Sequence, residues 1–190
     1  MGTIADEAKK CVEVLKKGGV ILYPTDTVWG IGCDATNADA VKRVYEIKRR
    51  ADNKAMLLLV DNADRICRYV SKVPSVAWDL IELTDKPLTI IYDGARNLAP
   101  NLLAEDGSIG IRVTSELFSK ELCYRFQKAI VSTSANISGE PTPRFFAEIS
   151  PEIVEAVDYV VGYKQLEKGN PKSSSIIKLG ENGEVTIIRQ

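Results

Sequence analysis

A chain of 190 residues with 45 % apolar and 27 % charged content suits one folded domain and is too apolar for a disordered segment. Twenty-five basic residues nearly balance 26 acidic ones, a formal charge of -1, so the overall field gives no drive toward non-specific nucleic-acid binding. Histidine is absent, which removes Ser-His-Asp and Cys-His nucleophilic machinery and the commonest metal ligand together.

Taken in chain order, Thr3 is placed to cap a helix whose apolar face carries Ile4, Ala8, Cys11, Val12 and Leu15, and Gly18-Gly19 stops it. Residues 20–23 read as a short buried strand that runs into Pro24. Three short oxygen-bearing side chains follow, Thr25, Asp26 and Thr27, ahead of Trp29 and the pair Gly30-x-Gly32. From Asn37, the positions Ala40, Val44 and Ile47 recur at helical spacing, and this second helix ends in Lys48-Arg49-Arg50. Residues 55–60 read as another buried strand. Further helices are expected over 63–68, 75–83, 115–127 and 151–156, with strands over 88–92, 108–113, 130–133 and 159–161. Asn182-Gly183, between SIIKL and VTIIRQ, signals a terminal hairpin.

Strands alternate with helices, but the hairpin and several short links break strict βαβ repetition. A twisted mixed α/β sheet with flanking helices is therefore expected, not a doubly wound parallel one, and one domain over residues 1–190. Cys11, Cys33, Cys67 and Cys123 lie far apart without a C-x-x-C pair, and no secretory leader is read ahead of the first helix. The expectation is reduced thiols, no zinc or disulfide framework, and a cytoplasmic protein. No apolar run reaches the roughly 20 residues of a membrane span.

Two constellations suggest chemistry. Lys48 and Arg50 close a helix, where cations complement the macrodipole; two apart, they could equally flank a cleft and neutralise phosphate oxygens. IVSTSANISGEPTP, residues 130–143, runs an apolar strand out into Ser132, Thr133, Ser134, Asn136 and Ser138 before Gly139. A solvated polar loop accounts for that pattern, but so does a ligand site at a strand end, and it echoes the stretch after Tyr23. Ser173, Ser174 and Ser175 precede another strand, and Arg189 nearly closes the chain. Arg112 sits inside the strand-like GIRVT, where a charge requires a carboxylate or a ligand phosphate as partner. No G-x-x-x-x-G-K-[ST] occurs, and Gly30-x-Gly32 lacks the third glycine of a dinucleotide loop. Cations with hydroxyl loops and no histidine base point to nucleotide binding, with electrostatic stabilisation of a phosphoryl centre. Trp29 and Trp78 read as core or cavity-wall residues.

Combined, YPTDTVWGIG, the K-x-R of Lys48 to Arg50, PLT at 87–89, IRV at 111–113 and STSANISGEPTP resemble the YrdC/TsaC family, over residues 18–189. Members of that family are threonylcarbamoyl-AMP synthases, nucleotidyltransferases that join L-threonine, bicarbonate and ATP and release pyrophosphate. Other proteins then move the threonylcarbamoyl group to the adenosine beside the anticodon of tRNA. The resemblance implies a twisted sheet around a large, positively lined concave cavity. It implies Lys48 and Arg50 as catalytic and phosphate-binding, and Thr25, Thr27 and Arg112 around threonine. It also implies Ser132, Ser134, Asn136, Ser174 and Arg189 around the nucleotide. Mg²⁺ would arrive with ATP, with no protein-held metal site.

Three positions depart from the family pattern: Ala51 and Thr114 stand where proline is usual, and Met56 where the next block usually has proline and leucine. Because the resemblance ends close to the last residue, the short form without a second domain is expected. The rival reading is a module that binds tRNA or double-stranded RNA on a basic concave face; near-neutral charge weighs against it. A carbamoyl-transfer domain of hydrogenase maturation usually sits inside a much longer chain.

Overall fold

In the computed structural model, which describes residues 3–50, 55–168 and 173–190, Thr3 and Asp6 close a capping box. The Asp6 N–H donates to Thr3 Oγ1 and the Thr3 N–H to Asp6 Oδ2, each at 3.2 Å. Helix α1 (Ile4–Lys16) follows and buries Ala8, Cys11, Val12 and Leu15 against a later helix, α5 (Leu117–Phe126). Gly18 then takes φ +77, which ends the helix. Glu7 is buried on α1 and accepts hydrogen bonds from the Gly162 N–H at 2.7 Å and the Tyr159 hydroxyl at 3.0 Å. Burial pushes its carboxyl up, but these donors and Lys10 outweigh burial and hold it below its usual value.

The remaining helices are α2 (Ala38–Ile47), α3 (Ile66–Tyr69), α4 (Val76–Leu83) and α6 (Pro151–Ala156). The strands are β1 (Ile21–Tyr23), β2 (Gly30–Gly32), β3 (Leu57–Val60), β4 (Leu88–Tyr92), β5 (Ile109–Val113), β6 (Ile130–Ser134), β7 (Tyr159–Val160), β8 (Ser175–Leu179) and β9 (Val185–Arg189). They form a nine-stranded sheet in the order β7-β1-β2-β6-β3-β5-β4-β8-β9. The pairs β1/β7, β3/β5 and β4/β8 are parallel and the others antiparallel, so the sheet is mixed, as expected.

Strand β2 is the element that the sequence pattern does not announce. It has three residues, two of them glycine, and carries no alternation to read. Its glycines are required by contact: a Cβ on Gly32 would lie 2.4 Å from the Val131 carbonyl oxygen and 2.7 Å from Tyr23 Cε1. Only a bare backbone lets β2 slot between β1 and β6.

Helix α2 stops earlier than its charged tail suggests. The Arg49 N–H donates to Glu46 O and the Arg50 N–H to Tyr45 O, both at 3.0 Å, while Arg49 takes φ +48. This is a Schellman closure with arginine in the left-handed position that glycine usually fills. The chain reverses there, so the side chains of Lys48 and Arg50 diverge.

The terminal hairpin forms around a three-residue loop. The Gly183 N–H donates to Gly180 O and the Gly180 N–H to Glu184 O, each at 2.9 Å, with Gly183 at φ +90. Of the positions departing from the family pattern, Ala51 lies outside the described residues. Thr114 donates its N–H to Val60 O at 3.0 Å and shares a 2.7 Å hydrogen bond with the Ser119 hydroxyl; a proline there would forfeit both. No helix among the described residues is long and apolar enough to cross a membrane. Cys11, Cys33 and Cys123 are buried free thiols, and burial pushes Cys11 up to about 12, which leaves it unreactive.

Candidate active site

The segment after β1, the end of β6, strand β5 and the β8–β9 pair converge on a cavity of about 470 Å³, within the ordinary range for small-molecule sites. Its wall carries four arginines, Arg50, Arg112, Arg144 and Arg189, and eight hydroxyl residues: Thr25, Thr27, Ser132, Thr133, Ser134, Thr142, Ser173 and Ser174. No carboxylate occurs among the described lining residues. Low-dielectric walls bearing one sign of charge attract anions.

Each wall has a local cause. Gly30 pairs with Ser134 and Ile31 with Thr133, which sets the β6 hydroxyls beside the loop after β1. A Cβ on Gly30 would reach 3.3 Å from both Ser132 Oγ and Thr25 Cγ2, so glycine keeps that corner open. In the loop, the Thr25 hydroxyl donates to Val28 O at 2.6 Å. With its hydrogen used, Thr25 Oγ1 accepts from the Thr27 N–H at 3.2 Å and from the Thr27 hydroxyl at 3.2 Å. Thr27 Oγ1 in turn accepts from Arg112 Nη2 at 3.3 Å. Thr25 Oγ1 thus has its hydrogen and both lone pairs engaged within the loop, whereas Thr27 Oγ1, which donates to Thr25 and accepts from Arg112, keeps one lone pair for a ligand.

Arg112 has a carboxylate partner: its Nη2 lies 2.9 Å from Asp26 Oδ1, with side chains only 3 % and 6 % exposed. The approach is off-axis. Neither Asp26 oxygen receives an aligned hydrogen bond, and Arg112 Nε has no acceptor. Burial raises the Asp26 carboxyl pKa, and the Arg112 charge opposes that rise without cancelling it. Asp26 was not singled out among the site residues from the sequence.

From β9, Arg189 donates through Nε and Nη2 to Ser174 O at 3.0 and 2.8 Å, and through Nη2 to Ser174 Oγ at 3.3 Å. Ser174 Oγ also bonds Thr89 Oγ1 at 3.0 Å. A bulge aims this arginine. Ile177 pairs with Ile187 but Ile176 pairs with Arg189, so Ile188 is the extra residue. Cross-strand partners share a face, and the inserted residue moves Arg189 from the core face of Ile177 to the cavity face of Ile176.

Arg50 reaches the wall and donates through Nη2 to Ala55 O at 2.9 Å. Lys48 is not among the described lining residues. Its side chain is 1 % exposed, and Nζ donates to Ser134 O at 2.5 Å and Asn136 O at 2.7 Å, while its own carbonyl accepts from the Ser138 N–H at 2.8 Å. The Schellman reversal is the reason: Lys48 points into the protein and Arg50 into the cavity. Burial, then the nearby Arg50 charge, brings Lys48 down to about 8.

Asn136 is placed in a similar way. Its amide donates to Ile137 O at 3.0 Å and Glu140 O at 2.8 Å and so braces the loop, outside the cavity lining. Thr25, Thr27, Arg50, Arg112, Ser132, Ser134, Ser174 and Arg189 are brought together around one cavity. Thr133, Thr142 and Ser173, all within stretches the sequence marks as hydroxyl-rich, join them, as does Arg144, which it does not mark. Arg144 directly follows the quoted serine-rich block, and its spacing from Glu148, four residues on, was the available signal. Trp29 is buried and packs on Phe146 with ring centroids 4.9 Å apart. No group of three or more carboxylate or thiol residues that could hold a metal occurs among the described residues.

A family model described as Telomere recombination, Sua5/YciO/YrdC, matches residues 13–190. The chain is 36 % identical over 177 residues to the threonylcarbamoyl-AMP synthase of Pseudoalteromonas translucida, covering 92 % of this chain and 93 % of that protein. It is 36 % identical over 190 residues to a putative threonylcarbamoyl-AMP synthase of Methanocaldococcus jannaschii, covering 97 % and 87 %. Among solved structures, E. coli YciO superposes with a TM-score of 0.83 at 25 % identity, over 98 % of this chain and 89 % of that one. The P. abyssi Sua5 structure complexed with L-threonine shares the fold, with a TM-score of 0.81 at 20 % identity over 92 % of this chain, which spans 51 % of its length. A family model over nearly the whole chain and relatives of similar length agree: the chain belongs to the Sua5/YciO/YrdC family.

Proposed function

We propose that this protein is a threonylcarbamoyl-AMP synthase, a nucleotidyltransferase acting as a single domain over residues 1–190. The reading rests on the cavity, whose described lining carries four arginines and eight hydroxyl residues and no carboxylate, and on relatives that bear that name. The amine of L-threonine takes up bicarbonate carbon and loses water to give a carbamate. One carbamate oxygen then attacks the α-phosphorus of ATP, and the bond to the β-phosphate oxygen breaks as pyrophosphate leaves.

Two anions must meet in that step. At about 4 Å and an effective dielectric of about 20, unit charges repel by about 4 kcal/mol. Arg50 and Arg189 offset this with fixed charge, and Ser132, Ser134 and Ser174 donate to phosphate or nucleotide oxygens. Thr27, whose hydroxyl oxygen keeps one lone pair, accepts from the amine, and Thr25 holds Thr27 in place. Arg112, half-neutralised by Asp26, takes the carboxylate of threonine. Mg²⁺ enters as part of the ATP substrate, carried on phosphate oxygens. Lys48 and Asn136 act from behind as positioning residues that set the loop carrying Ser134.

The adenylate product is consumed by partner proteins that act on tRNA, which puts the enzyme in the cytoplasm with its tRNA. Direct RNA binding is not favoured, because the cations gather inside a small-molecule cavity on a chain of net charge -1. Pyrophosphate release with each substrate omitted in turn tests the proposal. Release is expected only with L-threonine, bicarbonate and Mg-ATP together, and Arg50→Ala should slow it at least about a hundredfold. Release without threonine, or unchanged turnover in Arg50→Ala, would overturn it.

A further inference from the structure

Three of the lining arginines are anchored to the protein: Arg50 on Ala55 O, Arg112 on Asp26, and Arg189 on Ser174 O. Arg144 is held differently. Its side chain is 69 % exposed, and it meets Glu148 in a forked contact, Nη2 to Oε1 at 2.7 Å and Nε to Oε1 at 3.2 Å. Glu148 also accepts the Arg144 N–H through Oε2 at 2.8 Å. The carboxylate does not line the cavity, although the arginine does. An exposed pair of this kind is weakly held, because water competes for both charges. A guanidinium and a phosphate make shorter, stronger, paired hydrogen bonds.

The loop that carries Arg144 fixes which part of a ligand it meets. Residues 134–138 wrap Lys48 through its Nζ and its carbonyl, so the chain leading to Arg144 starts at the end of α2, from which Arg50 also enters the cavity. Arg112 and Arg189 act on one another electrostatically and come from β5 and β9. The cavity thus draws its cations from two parts of the fold, β5 and β9 on one hand and the end of α2 with the loop after β6 on the other.

We infer that Arg144 is a phosphate ligand parked on Glu148, which leaves that carboxylate to grip the β- and γ-phosphates of ATP and the pyrophosphate they become. The inference rests on the reading of the cavity as an ATP site. Glu148 sets the cost of that move, so it tunes nucleotide affinity without touching the nucleotide.

Calorimetric titration of the full chain with Mg-ATP, Mg-pyrophosphate and AMP tests it. Arg144→Ala should weaken Mg-ATP and pyrophosphate about tenfold and leave AMP unchanged. Glu148→Gln keeps an oxygen for the Arg144 N–H but removes the competing charge. It should tighten Mg-ATP and pyrophosphate roughly twofold to fivefold, again without an effect on AMP. Both positions are exposed, and thermal melts close to wild type will confirm that the variants fold.

If Arg144→Ala binds all three ligands like wild type, the inference is wrong. If both variants weaken all three ligands alike, the pair is a structural brace and the inference is equally wrong. A wild-type protein that binds no Mg-ATP would instead overturn the ATP reading itself.

Discussion

Lys48→Met removes the one buried ammonium in the loop support, and its effect on stability should depend on pH. At neutral pH two opposing effects nearly cancel. The substitution loses hydrogen bonds to Ser134 O and Asn136 O, each worth about 1.5–3 kcal/mol for a charged donor. It also relieves the desolvation that lowers the lysine from 10.5 to about 8, worth about 3 kcal/mol at about 1.4 kcal/mol per pK unit. The net loss is then about 0–3 kcal/mol.

Between those two pKa values the unfolded lysine is protonated while the folded one is not. The unfolded state then binds more protons, so stability rises with pH across that window. A neutral amine still has two N–H groups for the two carbonyls. Urea unfolding followed by tryptophan fluorescence should therefore show the gap between wild type and Lys48→Met widening by about 3 kcal/mol from below pH 8 to above pH 10.5. A gap that stays flat or narrows over that interval would refute the buried, carbonyl-bound lysine. Activity gives a second signature: because Lys48 positions a loop without meeting ligand, the variant should lose turnover while Mg-ATP affinity changes little.

Gly32→Ala should destabilise the fold by about 3 kcal/mol or more in denaturant titration, because its Cβ would meet the Val131 carbonyl at 2.4 Å; a loss below about 1 kcal/mol would mean that β2 does not sit so tightly. Asp26→Asn leaves Arg112 buried without a counter-ion and should cost about 3–5 kcal/mol, much of it recovered by Asp26→Asn/Arg112→Met; the same unfolding assay checks both, and a double variant no better than the single one would contradict the pairing. Deletion of Ile188 removes the bulge and turns Arg189 to the opposite face, so kcat/KM should fall as far as in Arg189→Ala with the melting curve little changed.

The helices and most strands were legible because their signals are local. The capping box at Thr3, the helical spacing from Ala40 to Ile47 and the Asn182-Gly183 hairpin each lie within one short window. Strand β2 was not legible, since the need for Gly32 comes from Val131, a hundred residues away in sequence. The cavity wall divided in the same manner. Thr25, Thr27, Ser132 and Ser134 follow strand ends and could be read as a polar site. The facing of Lys48 depends on a left-handed residue at Arg49, and that of Arg189 on one unpaired residue at Ile188. Composition shows neither, because backbone reversal and register decide where a side chain points once its type is known. Asp26 was visible as a residue, but its partnership with Arg112 joins the loop after β1 to strand β5, which only the folded sheet brings together.

The most direct test of the cavity as a place where a carbamate meets the α-phosphorus is phosphorus NMR of a reaction with L-threonine, bicarbonate and Mg-ATP. Pyrophosphate and an adenylate resonance should appear together, in equal amounts, and only when all three substrates are present. ADP and orthophosphate in their place would put the attack at the terminal phosphorus and contradict the proposed chemistry.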